Sequence, residues 1–194
     1  MGANLKRIII CDCEATCWET KEEQGNRPNE VIEIGICQLN MSTGAIEHGE
    51  SYVVQPEFTS ISPFCEKLTG WSQAAINEQG TTIQQALELI AEDFKLTKYD
   101  CWASCGEYDR VKLSSDDAPG TLLSLYGIKR EQNPIASMRA HMNIKTMFAY
   151  KHRLKKEMGM ARMLEKIKEP LDGRHHNGKD DAMNIAKIVH HVFS

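Results

Sequence analysis

Apolar and polar positions along the chain change period several times, and each change marks an element. The opening run, RIIICDC, has the β-branched content of a buried strand and predicts one over 6–13. A second strand is predicted over 30–40 from EVIEIGICQLN, punctuated by Gly35, and a third over 51–56 from SYVVQP, closed by Pro56. Proline has no amide hydrogen to give to a ladder, so the strand stops there. Three strands in succession make a meander.

Beyond residue 60 the period lengthens to that of a helix. Ser62 and Pro63 form an N-cap and first-turn pair for PFCEKLTG, with Gly70 as the stop. Thr82 and Gln85 have capping-box spacing ahead of IQQALELIAEDF, where Ile83, Leu87, Ile90 and Phe94 share one face. YDCWASC is a short apolar run expected as a buried strand, ASMRAHMNI fits either state, and DDAMNIAKIVHHVF carries an apolar stripe of Ala182, Ile185, Ile188, Val189 and Val192. Strands, a helix, a strand and then helices predict the α/β class, a mixed sheet with helices packed against it. No repeat or Pro/Gly/Ser-rich linker divides the chain, so one domain over 1–194 is expected.

Composition narrows the class. With 41% hydrophobic and 26% charged residues the chain is of ordinary globular type, and no run approaches a membrane span. MGANLKR lacks the apolar core of an export signal, and Gly2 lacks the Ser or Thr of a myristoylation context. Seven cysteines, an odd number, fit reduced thiols and a cytoplasmic location. Neither Cys11/Cys13 nor Cys101/Cys105 has zinc-finger spacing. The net charge of −4 argues against a non-specific nucleic-acid coat but hides an asymmetry. Residues 1–100 carry 7 Lys/Arg against 16 Asp/Glu, and residues 101–194 carry 16 against 11. The densest basic stretch runs from Lys145 to Lys168 and suits either a phosphate-binding patch or a solvated helix face.

Candidate chemistry begins with Asp12 and Glu14. Strand alternation puts both on one face and Cys11 and Cys13 on the other. Two carboxylates so close repel unless one is protonated or a hard cation such as Mg²⁺ or Mn²⁺ neutralises them; acids at a strand end entering solvent are the plain alternative. Asp109, in GEYDRVKL, stands at a strand-to-helix junction, where a helix N-cap is the alternative. GRHHNGKDDAMNIA puts two histidines on a glycine-bounded loop and two aspartates at a helix start, where either could cap.

With DCEATCW, GEYDRVKL and HHNGKDDAMNIA in this order, the chain resembles the DEDDh exonucleases from residue 8 to about residue 190. These form the DnaQ-like branch of the RNase H-like fold. Within that superfamily, DCEATC, FCEKLTG and DGRHHNGKDDAMNIA are most similar to 3′–5′ exoribonucleases that trim histone-message stem-loops and small regulatory RNAs, and to their bacterial relatives. The resemblance implies an RNase H-like mixed sheet of about five strands. It implies a metal-dependent 3′–5′ exoribonuclease that releases nucleoside 5′-monophosphates from single-stranded or short-tailed stem-loop RNA 3′ ends. Asp12, Glu14, Asp109 and Asp181 would hold two Mg²⁺ ions, with Mn²⁺ able to substitute, and His176 would be the general base. His176 is chosen over His175 because it lies five residues before Asp181, as in the family motif, which leaves His175 as a surface residue and Asp180 as a cap. His190 and His191 are expected at the negative end of the last helix.

For substrate, the resemblance points to Leu68 at a base, Thr69 and Gly70 near the sugar, and Ala15 and Thr16 near the 3′ hydroxyl. Tyr108, where relatives often carry tryptophan, is either a stacking platform or a packed core residue. Lys145, with Lys151, Arg153, Lys155 and Lys156, is a candidate for phosphate contacts. A DNA exonuclease or polymerase proofreading partner is the alternative function. A catalytically idle module binding RNA or protein is a third, against which the intact acids and histidine stand.

Overall fold

Three isoleucines drive the central strand. β1 (Arg7–Ala15) sends Ile9, Cys11 and Cys13 to one core layer and Ile8 and Ile10 to the other. Both faces are covered, which is why the run is continuously apolar. The structure, a computed structural model, describes residues 6–194, so the readings of Gly2 and of an export signal rest on segments partly outside the described residues.

β1 pairs antiparallel with β2 (Val31–Asn40), which pairs antiparallel with β3 (Ile46–Val53). On its other side β1 pairs parallel with β4 (Cys101–Ser104), and β4 with β5 (Ala140–Asn143). The sheet is mixed and five-stranded, in the order β3-β2-β1-β4-β5. Its helices are α1 (Lys21–Gln24), α2 (Pro63–Thr69), α3 (Gln73–Gln79), α4 (Ile83–Asp93), α5 (Tyr108–Lys112), α6 (Leu122–Tyr126), α7 (Pro134–Ser137), α8 (Ile144–Lys151), α9 (Met160–Ile167) and α10 (Gly178–Phe193). α4 and α7 pack on the Ile9 face, and α8, α9 and α10 on the Ile8 face. No helix among the described residues is long and apolar enough to cross a membrane.

The caps act as expected. Ser62 accepts the Cys65 amide at the start of α2, Gly70 ends it in the left-handed region at φ 84°, and Thr82 and Gln85 form the capping box of α4. Two expectations are corrected. The third strand runs over 46–53 rather than 51–56, leaving Val54 only an isolated bridge to Thr81. β1 extends to Ala15 rather than stopping at residue 13, so Glu14 joins Asp12 inside the paired strand, the two lying opposite Glu33 and Gly35. The ambiguous segment ASMRAHMNI supplies both the end of α7 and the edge strand β5.

One contact sets the position of α10. The helix starts directly against β2 at Gly35, where a Cβ would lie 1.8 Å from the Gly178 carbonyl carbon. Only glycine lets a helix backbone come this near a strand.

Candidate active site

Four acids converge from three parts of the chain. Asp12 and Glu14 continue the Ile8/Ile10 side of β1, the side on which α10 packs, and Asp181 arrives on the first turn of α10. Ligand oxygens of these three carboxylates all lie within 4.8 Å of one another. Asp109, in the first turn of α5, is 4% exposed, and its Oδ1 accepts the Cys13 amide at 3.1 Å and the Cys13 thiol at 3.4 Å. Asp109 is therefore not an N-cap; that position is Glu107, whose side chain makes no capping bond. Cys13, on the strand face opposite Asp12 and Glu14, holds this fourth carboxylate in place.

Both histidines reach the acids. His176 Nδ1 lies 3.9 Å from Glu14 Oε1, and His175 Nε2 lies 3.8 Å from Asp181 Oδ2. Their rings stack at 4.1 Å with 19° between planes. His175 is exposed, as expected, and with His176 and Asp181 it also forms a second cluster of metal-ligating type. The His176 backbone sits in the left-handed region at φ 67° and donates its N–H to Asp181 Oδ2 at 2.9 Å.

The loop that carries the histidines is fastened at several points. Asn177, not Asp180, is the N-cap of α10. Asp180 instead accepts the Arg174 amide at 2.7 Å, and Gly173 at φ 72° leaves room for its carboxylate. The Arg174 guanidinium lies over Gly70 and donates to the Lys67 and Leu68 carbonyls, tying the loop to the end of α2. Glu33 is fully buried beneath the start of α10. Its carboxylate accepts the Gly178 amide at 3.0 Å, the Trp71 indole N–H at 2.7 Å and the Ser51 hydroxyl at 2.6 Å. The sequence signal for Glu33 is a charged residue in the middle of an apolar strand, where burial demands several donors.

Electrostatics strain this arrangement. Burial pushes the Glu14 carboxyl up to about 8, with Asp181 and Glu33 adding repulsion, and burial raises Asp181 to about 6. Asp12 is raised by burial and then by Asp109, and Asp109 is raised by burial although the Cys13 bonds oppose it. Two full charges about 4.8 Å apart repel by roughly 3–4 kcal/mol at an effective dielectric of about 20. The buried Asp181 Oδ1 has no hydrogen-bond partner among the described residues. An all-oxygen cluster of repelling carboxylates with an orphaned lone-pair donor fits a hard divalent cation. His176 is shifted the other way, its pKa lowered by burial and then by His175 and Arg174, so its ring is neutral near pH 7.

The carboxylates face a cavity of about 610 Å³ whose walls include Ala15, Leu68, Tyr108, Lys145, His175 and His176. Tyr108 is 53% exposed, which removes the packed-core alternative. The Lys145 ammonium favours the charged form of Asp109 and so opposes part of the effect of burial there. Thr16, Thr69 and Gly70 do not line the cavity. Thr16 is buried in bonds with Glu30 and Thr59, and the Thr69 hydroxyl donates to the Cys65 carbonyl, so both brace the wall from behind. Lys151 donates to the His191 and Val192 carbonyls at the end of α10. His190 and His191 lie in the last turn of α10, as expected, and His191 stacks on His152 at 5.1 Å.

The exonuclease family model RNase_T matches residues 9–189. Human 3′–5′ exoribonuclease 1 is 32% identical over 191 residues, covering 94% of this chain and 51% of that protein. The chain thus spans about half the length of this relative and of the mouse protein of the same name. The nuclease domain of 3′hExo, a DEDDh family member bound to rAMP, superposes with a TM-score of 0.74 at 27% identity, covering 98% of this chain and 93% of that one. A second solved structure, described as 3′-end specific recognition of a histone mRNA stem-loop by 3′-exonuclease, gives a TM-score of 0.80 at 28% identity, covering 99% and 65%.

Proposed function

The chain belongs to the RNase_T exonuclease family, and from that premise we propose that it is a metal-dependent 3′–5′ exoribonuclease releasing nucleoside 5′-monophosphates. The observation that carries this reading is the meeting of Asp12, Glu14 and Asp181 within 4.8 Å, beside Asp109 and two histidines, on one open cavity. Exonucleases of the DEDDh type depend on divalent metal. Here Asp12, Glu14, Asp109 and Asp181 would hold two ions, Mg²⁺ with Mn²⁺ as a substitute. Bound there, the ions supply Lewis-acid stabilisation of the charge that develops on the phosphate oxygens.

The protein's own groups do the remaining work. His176, neutral and with Nδ1 turned toward Glu14, accepts the proton of the attacking water at that nitrogen. The nearby carboxylate then stabilises the imidazolium. His175, stacked against His176 and facing Asp181, limits the tilt of the ring. Leu68 and Ala15 give the terminal nucleoside an apolar wall, and the exposed Tyr108 ring gives a base a face on which to stack. Lys145 offsets the negative charge brought in by the scissile phosphate.

The test uses 5′-labelled single-stranded RNA, a stem-loop with a short 3′ tail, and matched DNA. Protein stripped with EDTA is inert; Mg²⁺ or Mn²⁺ restores a ladder shortening from the 3′ end, with RNA consumed faster than DNA. Asp181→Asn abolishes the ladder. No shortening with either ion on any substrate overturns the proposal, and faster loss of DNA moves the assignment to a DNA exonuclease.

A further inference from the structure

The cavity over the carboxylates is bounded on one side by Glu157–Arg162, and the outer side of this rim opens into a second hollow of about 390 Å³. Glu157 lines both. Tyr150, Arg153, Lys155 and Lys156 line the second hollow. Tyr150 is 82% exposed, the most exposed of the large apolar side chains, so its ring adds nothing to the core. Arg153, Lys155 and Lys156 are exposed, and none forms an ion pair or side-chain hydrogen bond among the described residues. Lys151, by contrast, is used up in capping α10. Arg153 also holds the left-handed region at φ 53°, a position that glycine or asparagine fills with less strain. Glu157, the acid at the crossing, accepts the Thr146 hydroxyl.

A strand whose 3′ end lies over the carboxylates must leave the cavity as a polyanion. The opposite margin, beyond Leu68, offers Glu19 and Lys67, which balance. The rim at Glu157 leads to three cations and an unpacked aromatic ring. Cations along a groove together with a free aromatic face are the two elements by which single-stranded nucleic acid is held without sequence preference.

We propose that the hollow lined by Tyr150, Arg153, Lys155 and Lys156 binds single-stranded RNA a few nucleotides 5′ of the cleaved end, with Tyr150 stacking on a base and the three cations on phosphates. This rests on the reading of the cavity as a 3′-end site. The subsite makes the enzyme sensitive to substrate length, because it is occupied only by nucleotides beyond those held in the cavity.

The test compares fluorescein-labelled RNA 3-mers and 12-mers, with binding followed by anisotropy and shortening followed on gels. Tyr150→Ala raises the Kd for the 12-mer about tenfold, as expected for loss of one stacked base, and leaves the 3-mer unchanged; Tyr150→Phe behaves as wild type. Lys155→Gln combined with Lys156→Gln lowers the slope of log K against log salt by about 1.4, since each single-strand phosphate contact contributes about 0.7. Unchanged 12-mer binding in both variants, equal losses on both lengths, or no binding by the wild type overturns the subsite. Length-dependent binding without any shortening by the wild type overturns the exonuclease reading and leaves the subsite standing.

Discussion

Replacing Gly35 by alanine adds one methyl group to β2 opposite Asp12, and it should disable the site. The new Cβ would lie 1.8 Å from the Gly178 carbonyl carbon, 1.9 Å from its oxygen and 2.2 Å from the Lys179 nitrogen, where ordinary contact begins at 3.4 Å. All three are backbone atoms, so no rotamer change relieves the clash and the first turn of α10 must retreat from β2. That turn carries Asp181, and its Gly178 amide is bonded to Glu33. Overpacking of this kind costs about 1–3 kcal/mol, and the upper end applies because both partners are backbone. At about 3 kcal/mol the melting temperature falls by roughly 6–12 °C for a chain of this size. Displacement of a reacting group by about 1 Å costs on the order of 10²-fold in rate. Circular dichroism melts and kcat on single-stranded RNA measure the two effects. A Gly35→Ala protein with wild-type melting and a kcat within twofold of wild type would show that α10 does not depend on this contact.

Three other outcomes follow from the same geometry. His176→Ala keeps RNA affinity in an anisotropy titration and loses about 10²–10⁴ in single-turnover rate, whereas undiminished turnover would move the base elsewhere. Glu33→Ala leaves the Gly178, Trp71 and Ser51 donors without an acceptor and lowers stability by about 3 kcal/mol or more, read as a lower urea midpoint with unchanged m; Glu33→Gln recovers only part, because one of its two terminal atoms is itself a donor. Metal-free protein loses stability between pH 5 and pH 8: Glu14 and Asp181 have folded pKa values raised to about 8 and about 6, so the folded state binds more protons than the unfolded state there, and stability falls as pH rises through those values. Calorimetry should show Mg²⁺ raising the melting temperature more at pH 8 than at pH 5, and a metal-free profile that is flat or rising would contradict the buried cluster.

The sequence was most readable where period and cap coincide. β1 follows from its isoleucines, α2 and α4 from Ser62 and Thr82, and α10 from its stripe, because each buries a face broad enough to leave a period. β3 differs from its expected range because it is an edge strand: IEHGESYV alternates weakly, and its exposed positions carry His48 and Glu50. β5, also at an edge, has four residues and none fully buried. Within the site, the resemblance to the DEDDh exonucleases implied Asp12, Glu14, Asp109 and Asp181 together. It did not show His175 against Asp181, Cys13 on Asp109 or Arg174 across Gly70, since these depend on how distant segments meet. Asp180 read as a cap because acids favour helix starts, yet Asn177 already held that position.

The carboxylates also have an order in time. Asp12 and Glu14 are made well before Asp181 and before the His176 loop whose amide is bonded to it. A ribosome exposes the acidic strand well before the helix that completes the cluster, and the protein cannot fold as a unit until that helix has emerged. A nascent segment that holds β1 without α10 therefore has no assembled centre, because the two halves of the site lie roughly 170 residues apart and meet only through long-range folding.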